Sequence, residues 1–122
     1  VMLGADRTDA WPLVEQVAAR QGRAPGQDEH PERGYFFRSD HFPFAKAGVP
    51  AFSLTLGDAS GFRGPRAEKA RALSEAYNAT HYHQPSDDLS PDWDWTGAVE
   101  DTQLMAELGW RLAALPTMPA YK

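Results

Sequence analysis

Residues 35–57 read YFFRSDHFPFAKAGVPAFSLTLG and place a helix pattern directly before a strand pattern. We predict a short helix that begins at residue 39 or 40, runs through residue 47 and is ended by Gly48. Residues 50–56 alternate side chains of β-forming types and are followed by Gly57, which predicts a strand. A helix followed so closely by a strand is typical of chains that mix both elements in layers.

The rest of the chain continues this alternation. We predict a short strand over residues 1–3, followed by a helix with Thr8 or Asp9 as its cap and Pro12 in its first turn. The longest helix is predicted over roughly residues 94–115. Strands alternating with helices indicate an α/β fold.

Several segments carry weaker patterns. Residues 35–37 are predicted to form either a strand or a buried segment that leads into the next helix. Residues 58–76 are rich in glycine and charge and are predicted to form an irregular excursion. Trp93 and Trp95 are predicted to pack under the last helix. The apolar stripe of that helix is expected to cover a sheet and consists of Ala98, Leu104, Met105, Leu108, Leu112 and Leu115.

Composition excludes several classes of function. The chain has 122 residues, enough for one modest domain, and a net charge of -5 with scattered basic residues, which argues against nucleic acid as a partner. No apolar run approaches the roughly 20 residues needed to span a bilayer, so no membrane partner is expected. The absence of cysteine excludes disulfides and thiolate-bound metals.

Residues 81–88, HYHQPSDD, gather side chains that suit metal binding and catalysis. His83 is a candidate metal ligand, and Asp87 or the aspartate after it either fixes the imidazole tautomer or merely closes the turn. His81 is a competing ligand, and a structural or solvated histidine loop is the alternative to any metal site. Tyr82 is either a wall of the site or a donor to a developing oxyanion.

Residues 38–41, RSDH, form a second candidate group. Asp40 is either a helix cap or a side chain that points into a cleft and binds substrate. His41 is either a packed core histidine or part of the same site, and Arg38 is its basic neighbour.

Four stretches of this sequence together resemble the C-terminal half of the zinc aminopeptidase family, which includes glutaminyl cyclases and glutamate carboxypeptidases (peptidase clan MH, family 28). They are residues 35–51 (YFFRSDHFPFAKAGVPA), 81–87 (HYHQPSD), 93–94 (WD) and 97–101 (GAVED). The resemblance implies part of a three-layer α/β/α sandwich with a mixed, mainly parallel sheet, and a peptide substrate. It also implies two zinc ions with a bridging water in the complete domain.

Carried over by position, His83 matches the late histidine ligand of the family. Tyr82 matches a tyrosine that in some branches hydrogen-bonds the tetrahedral intermediate. Asp40 matches an acidic position that supports substrate binding in the cyclase branch. Arg38, His41 and Asp87 are grouped with it as candidates for substrate binding or for supporting the metal ligands.

The other ligands of the family have no counterpart in this sequence, which contains neither an H-x-D motif nor a Glu-Glu pair. We therefore expect residues 1–122 to be the C-terminal segment of a single catalytic domain with no second domain, inactive alone. The alternatives are a glutaminyl cyclase-like transferase and a non-catalytic remnant or interaction module. We expect association with the missing N-terminal part or with a second copy, and export of the full-length protein rather than a cytoplasmic location.

Overall fold

The computed structural model describes residues 1–28, 30–55 and 65–122, a mixture of helices with a small sheet. The strands are β1 (Met2–Leu3) and β2 (Ser53–Leu54), and the α-helices are α1 (Trp11–Arg20), α2 (Phe42–Lys46), α3 (Pro65–Thr80) and α4 (Thr96–Ala113). Short 3-10 helices cover Ala5–Arg7, Pro31–Arg33 and Tyr35–Arg38. None of these helices is both long enough and apolar enough to cross a bilayer.

The sheet is a single antiparallel pair within the described residues. Met2 lies opposite Leu54 and Leu3 opposite Ser53. The N-terminal amine of Val1 donates to the Thr55 carbonyl at 2.9 Å, which extends the pairing at one end. The strand predicted over residues 50–56 is thus confirmed only at its centre, because β1 offers just two residues to pair with it. Residues 56 and 57 lie outside the described residues.

Neither of the two residues predicted to cap helix α1 does so, because Ala10 occupies the cap position. Thr8 is completely buried, and its hydroxyl donates to the Ala5 carbonyl at 2.8 Å and accepts from the Ala10 amide at 3.3 Å. That hydroxyl therefore closes the preceding turn and does not cap the helix, so the predicted capping role is wrong. Pro12 does lie in the first turn, as predicted, where its missing N–H leaves no helical hydrogen bond unmade.

The hydrophobic core lies where α1 and α4 pack together beside β1. Its buried members are Met2, Ala5, Val14, Val17, Ala18, Leu104 and Leu108. In α4 the predicted apolar stripe is only partly confirmed. Leu104 and Leu108 are buried and Leu112 is half-buried, but the other three side chains of that stripe are exposed.

Charged side chains line the edge of the α1–α4 contact. Glu107 accepts from Arg20 at 2.8 Å and from Arg111 at 2.9 Å, and Arg23 pairs with Asp101. Exposed pairs of this kind each contribute at most about 1 kcal/mol. The apolar contacts between the helices therefore dominate the stability of this pair, and the charges favour its register.

The aromatic run before α2 forms a 3-10 helix, so the predicted strand there is wrong. The alternative of a buried segment is confirmed only for Phe36, because Tyr35 and Phe37 are exposed. Phe36 is buried and its ring lies against Gly4, which has φ 86°. A Cβ at position 4 would overlap that ring, and the positive φ also favours glycine. Gly4 thereby allows residues 35–38 to pack directly onto the turn after β1.

Two predictions for the second half of the chain are wrong. Residues 65–80, assigned largely to an irregular excursion, form helix α3, while residues 58–64 lie outside the described residues. Trp93 and Trp95 contact each other at a centroid distance of 5.3 Å but stay 42% and 52% exposed, so they do not pack under α4.

We predict that Leu108→Ala lowers the free energy of unfolding by about 2–5 kcal/mol, because Leu108 is almost fully buried and its truncation leaves a cavity in the core. The matched control is Leu73→Ala on the exposed face of α3, which should change stability by less than about 0.5 kcal/mol. Urea unfolding of both variants measures the difference. Equal destabilisation would contradict the position assigned to the core.

Candidate functional site

The predicted site residues lie in two places, a cleft beside β2 and the loop after α3. The cleft has a volume of roughly 450 Å³. It is lined by Leu3, Tyr35, Ser39, Asp40, His41, Ser53, Leu54 and Thr55. Both strands and the segment before α2 therefore contribute to its walls.

Asp40 lies in the turn between the 3-10 helix Tyr35–Arg38 and α2. Ser39 fixes this turn, since its hydroxyl donates to the Tyr35 carbonyl at 2.8 Å. Helix α2 begins at Phe42 without a side-chain cap, so the interpretation of Asp40 as a helix cap is wrong. Its carboxylate is exposed and has no hydrogen bond to any described residue, which leaves it available to a ligand in the cleft.

His41 packs as a partly buried histidine at the base of this turn. Its ring lies edge-on to that of Phe36 at a centroid distance of 4.7 Å. Both ring nitrogens are buried and lack a hydrogen-bond partner among the described residues. Burial lowers the pKa of His41 below its ordinary value, and the charge of Asp40 opposes this shift. Arg38 is exposed at the end of the preceding 3-10 helix.

The second place is the loop over residues 81–88, which leaves the C-terminal end of α3. Tyr82 is 51% exposed and His83 is exposed. Their rings lie 4.0 Å apart, centroid to centroid, at an interplanar angle of 36°. His83 also has a positive φ of 60°, a backbone conformation that residues other than glycine rarely adopt.

Asp87 contacts a tyrosine and not His83. Its carboxylate accepts from the Tyr77 hydroxyl at 2.8 Å, and this hydrogen bond raises the pKa of Tyr77. Asp88 accepts from the Leu89 amide. Among the described residues neither aspartate is hydrogen-bonded to His83.

His81 takes part in closing the loop. Its Nδ1 lies 3.1 Å from both the hydroxyl and the carbonyl oxygen of Ser86. The Ser86 hydroxyl in turn donates to the Thr80 carbonyl at 3.0 Å. Through its Nδ1 atom, His81 therefore takes part in holding the loop closed in this structure.

The described residues do not bring the two places together. No hydrogen bond, ion pair or ring contact among them joins the loop to the cleft, and they contain no group of three His, Asp or Glu side chains that could hold a metal ion. A tetrahedral zinc site needs three or four protein ligands. The part of the chain that the structure describes therefore holds no complete site of this kind.

Comparison with known proteins decides the family. A family model described as Peptidase family M28 matches residues 1–107, which is most of the chain and includes both the cleft and the loop. The chain belongs to peptidase family M28. Searches of curated proteins and of solved structures gave no significant match. This match confirms the family that the sequence motifs resemble.

Two features of the candidate site in this M28 chain are not predicted by its sequence. Tyr77 stands four residues before His81, a spacing that brings side chains together on a helix, but the sequence predicts an irregular excursion over residues 58–76, directly before it. The helix formers of residues 65–80 (PRAEKARALSEAYNAT) were a usable signal. The contribution of Tyr35 and Thr55 to the cleft had no local signal, because it depends on packing between distant segments.

We predict that His41→Phe reduces the loss of stability on acidification. Because the folded-state pKa of His41 lies below the unfolded value of about 6.5, the unfolded chain binds a proton more readily, and stability falls as pH decreases through that value toward the folded pKa. Phenylalanine cannot take up a proton, so it removes this pH-dependent loss of stability while keeping the ring packing with Phe36. Thermal unfolding between neutral and mildly acidic pH measures the slope.

The control for that slope is Leu73→Ala, which changes an exposed side chain on α3 and removes no titratable group. An unchanged slope in His41→Phe would show that the buried imidazole stays uncharged, or is solvated, throughout the pH range.

Proposed function

We propose that this chain is the C-terminal segment of the catalytic domain of a zinc-dependent exopeptidase of the aminopeptidase type. Membership in peptidase family M28 supports a peptidase function. The single observation that carries the finer assignment is the exposed Tyr82–His83 pair, in the stretch whose motif resembles the family's late ligand. The complete domain is proposed to be a three-layer α/β/α sandwich with a mixed, mainly parallel sheet, of which residues 1–122 are one part.

His83 is proposed as a zinc ligand. Its imidazole is exposed and has no hydrogen bond to the described residues, so a ring nitrogen lone pair is available for a metal. The remaining ligands and the general base would come from outside the described residues. When bound, zinc polarises the scissile carbonyl and lowers the pKa of bound water.

The neighbouring residues are proposed to handle the substrate. The Tyr82 ring stacks on that of His83, and its hydroxyl makes no hydrogen bond within the described residues, so it can donate to a carbonyl oxygen that gains charge. Asp40 is proposed to bind the peptide in the cleft, with Arg38 beside it. His41 supports this segment through its contact with Phe36.

A glutaminyl cyclase-like transferase is the second candidate. It is favoured by one observation, the free carboxylate of Asp40 on the cleft wall, at the position that resembles the substrate-binding acid of the cyclase branch. The two activities differ in product. A cyclase releases ammonia from an N-terminal glutamine and leaves the peptide bond intact, whereas a peptidase releases the N-terminal residue.

Exposed aromatic and aliphatic side chains support association with the rest of the domain or with a second copy of the chain. Leu89 is 74% exposed and Trp110 is 79% exposed. Contact with another protein surface would remove these two large apolar side chains from water.

We predict that His83→Ala lowers kcat/KM at least about 100-fold in the polypeptide that carries this chain together with the family's remaining motifs, assayed with aminoacyl p-nitroanilides and zinc. The reason is that the metal contributes several kcal/mol of barrier lowering, and about 3 kcal/mol corresponds to that factor.

His30→Ala is the matched control, because His30 lies outside the cleft and the loop, and it should retain full activity. Mass spectrometry of a peptide with N-terminal glutamine, measured in parallel, distinguishes hydrolysis from cyclisation. An active His83→Ala enzyme would rule out the proposed ligand role.

A further inference from the structure

His83 is held in an unfavourable backbone conformation by a loop that does not use its side chain. It is the one residue other than glycine with a positive φ among the described residues. Such a conformation persists only where surrounding contacts determine it, and it often occurs where a side chain must be aimed. The contacts responsible can be read from the hydrogen bonds of the loop.

Tyr77, in the last turn of α3, contacts both ends of this loop. Its carbonyl accepts from the amides of His81 and Tyr82, at 2.8 and 3.0 Å, where the loop begins. Its hydroxyl donates to Asp87 at 2.8 Å, where the loop ends. The Tyr77 ring also lies 6.2 Å, centroid to centroid, from each of the rings of His81 and Tyr82.

Further hydrogen bonds inside the loop also hold its backbone closed. The Gln84 amide donates to the His81 carbonyl at 2.9 Å, and the Asp87 amide donates to the Gln84 carbonyl at 3.0 Å. Together with the bond from Ser86 to Thr80, these fix the backbone on both sides of His83. Among the described residues, all of these bonds leave the His83 imidazole without a hydrogen bond, and its one ring contact is with Tyr82.

We propose that Tyr77 is a positioning residue, which closes the loop through its carbonyl and through the bond from its hydroxyl to Asp87, and so aims the His83 imidazole for metal binding. Asp87 acts on His83 through Tyr77 and the loop backbone, and not by direct contact. The metal-binding part of this inference rests on the proposed function; the loop-closing part does not.

The first test uses NMR on the 122-residue chain without metal. Stacking at 4.0 Å should displace the His83 ring-proton shifts from those of an unstructured histidine. Tyr77→Phe keeps the ring and removes only the hydroxyl, and Asp87→Ala removes the acceptor. Both should move the His83 shifts toward the unstructured values and weaken the short intraresidue amide-to-Hα contact expected for a positive φ.

The matched control is Asp88→Ala, which deletes the adjacent carboxylate. Among the described residues, that carboxylate accepts a hydrogen bond only from the neighbouring Leu89 amide. It should leave the His83 signals unchanged. Asp87→Asn, which keeps an acceptor oxygen, should restore them. Unchanged Leu108 methyl signals establish that each variant is folded. Unaltered His83 signals in both Tyr77→Phe and Asp87→Ala would overturn the proposal.

The second test measures zinc affinity by chelator competition in the polypeptide that carries the remaining family motifs. Tyr77→Phe should weaken affinity up to about 10-fold, the low end of the range for removing a group bonded directly to a ligand, because Tyr77 acts through the loop. Asp88→Ala should not weaken it. If Tyr77→Phe alters the His83 signals but leaves zinc affinity unchanged, the role of Tyr77 in aiming His83 at the metal is overturned and its loop-closing role stands. If His83→Ala keeps full activity while Tyr77→Phe disturbs the loop, the proposed function fails and the loop-closing role stands.

Discussion

Packing of α1 against α4 beside β1 is the contact on which the described structure depends. Met2 from the strand, Val14 and Val17 from α1, and Leu108 from α4 meet in one small cluster from which water is excluded. Burying apolar surface is the main favourable term in folding. The antiparallel strand pair and the cleft beside it are built onto this cluster, since β1 belongs to both.

The loop that carries His83 lies outside that core and is ordered by other means. Residues 71–89 are exposed throughout, so they gain little from apolar burial. Hydrogen bonds from Tyr77, Ser86 and their partners hold the loop instead. Exposed hydrogen bonds each contribute modestly, so several are needed to hold the positive φ of His83. Among the described residues, these bonds order the backbone around His83 without involving its imidazole.

The sequence was informative where local chemistry determines the outcome. The helix ended by Gly48 and the long C-terminal helix are both present, because breaking residues and apolar spacing act locally. The strand over residues 50–56 was overestimated, because its length depends on what β1 offers as a partner. In the candidate site, the residue types of the loop indicate its chemistry, but the sequence does not indicate which residue Asp87 contacts. That partner, Tyr77, is set by how α3 enters the loop.

Calorimetric titration of zinc into the 122-residue chain tests most directly whether the chain holds one ligand of a larger site. If His83 is the one ligand available, no stoichiometric sub-micromolar binding should occur, because a tetrahedral site needs three or four protein donors. Tight binding should appear only when the remaining family motifs are present, and His83→Ala should weaken it. Stoichiometric sub-micromolar binding by the 122-residue chain alone would contradict this assignment.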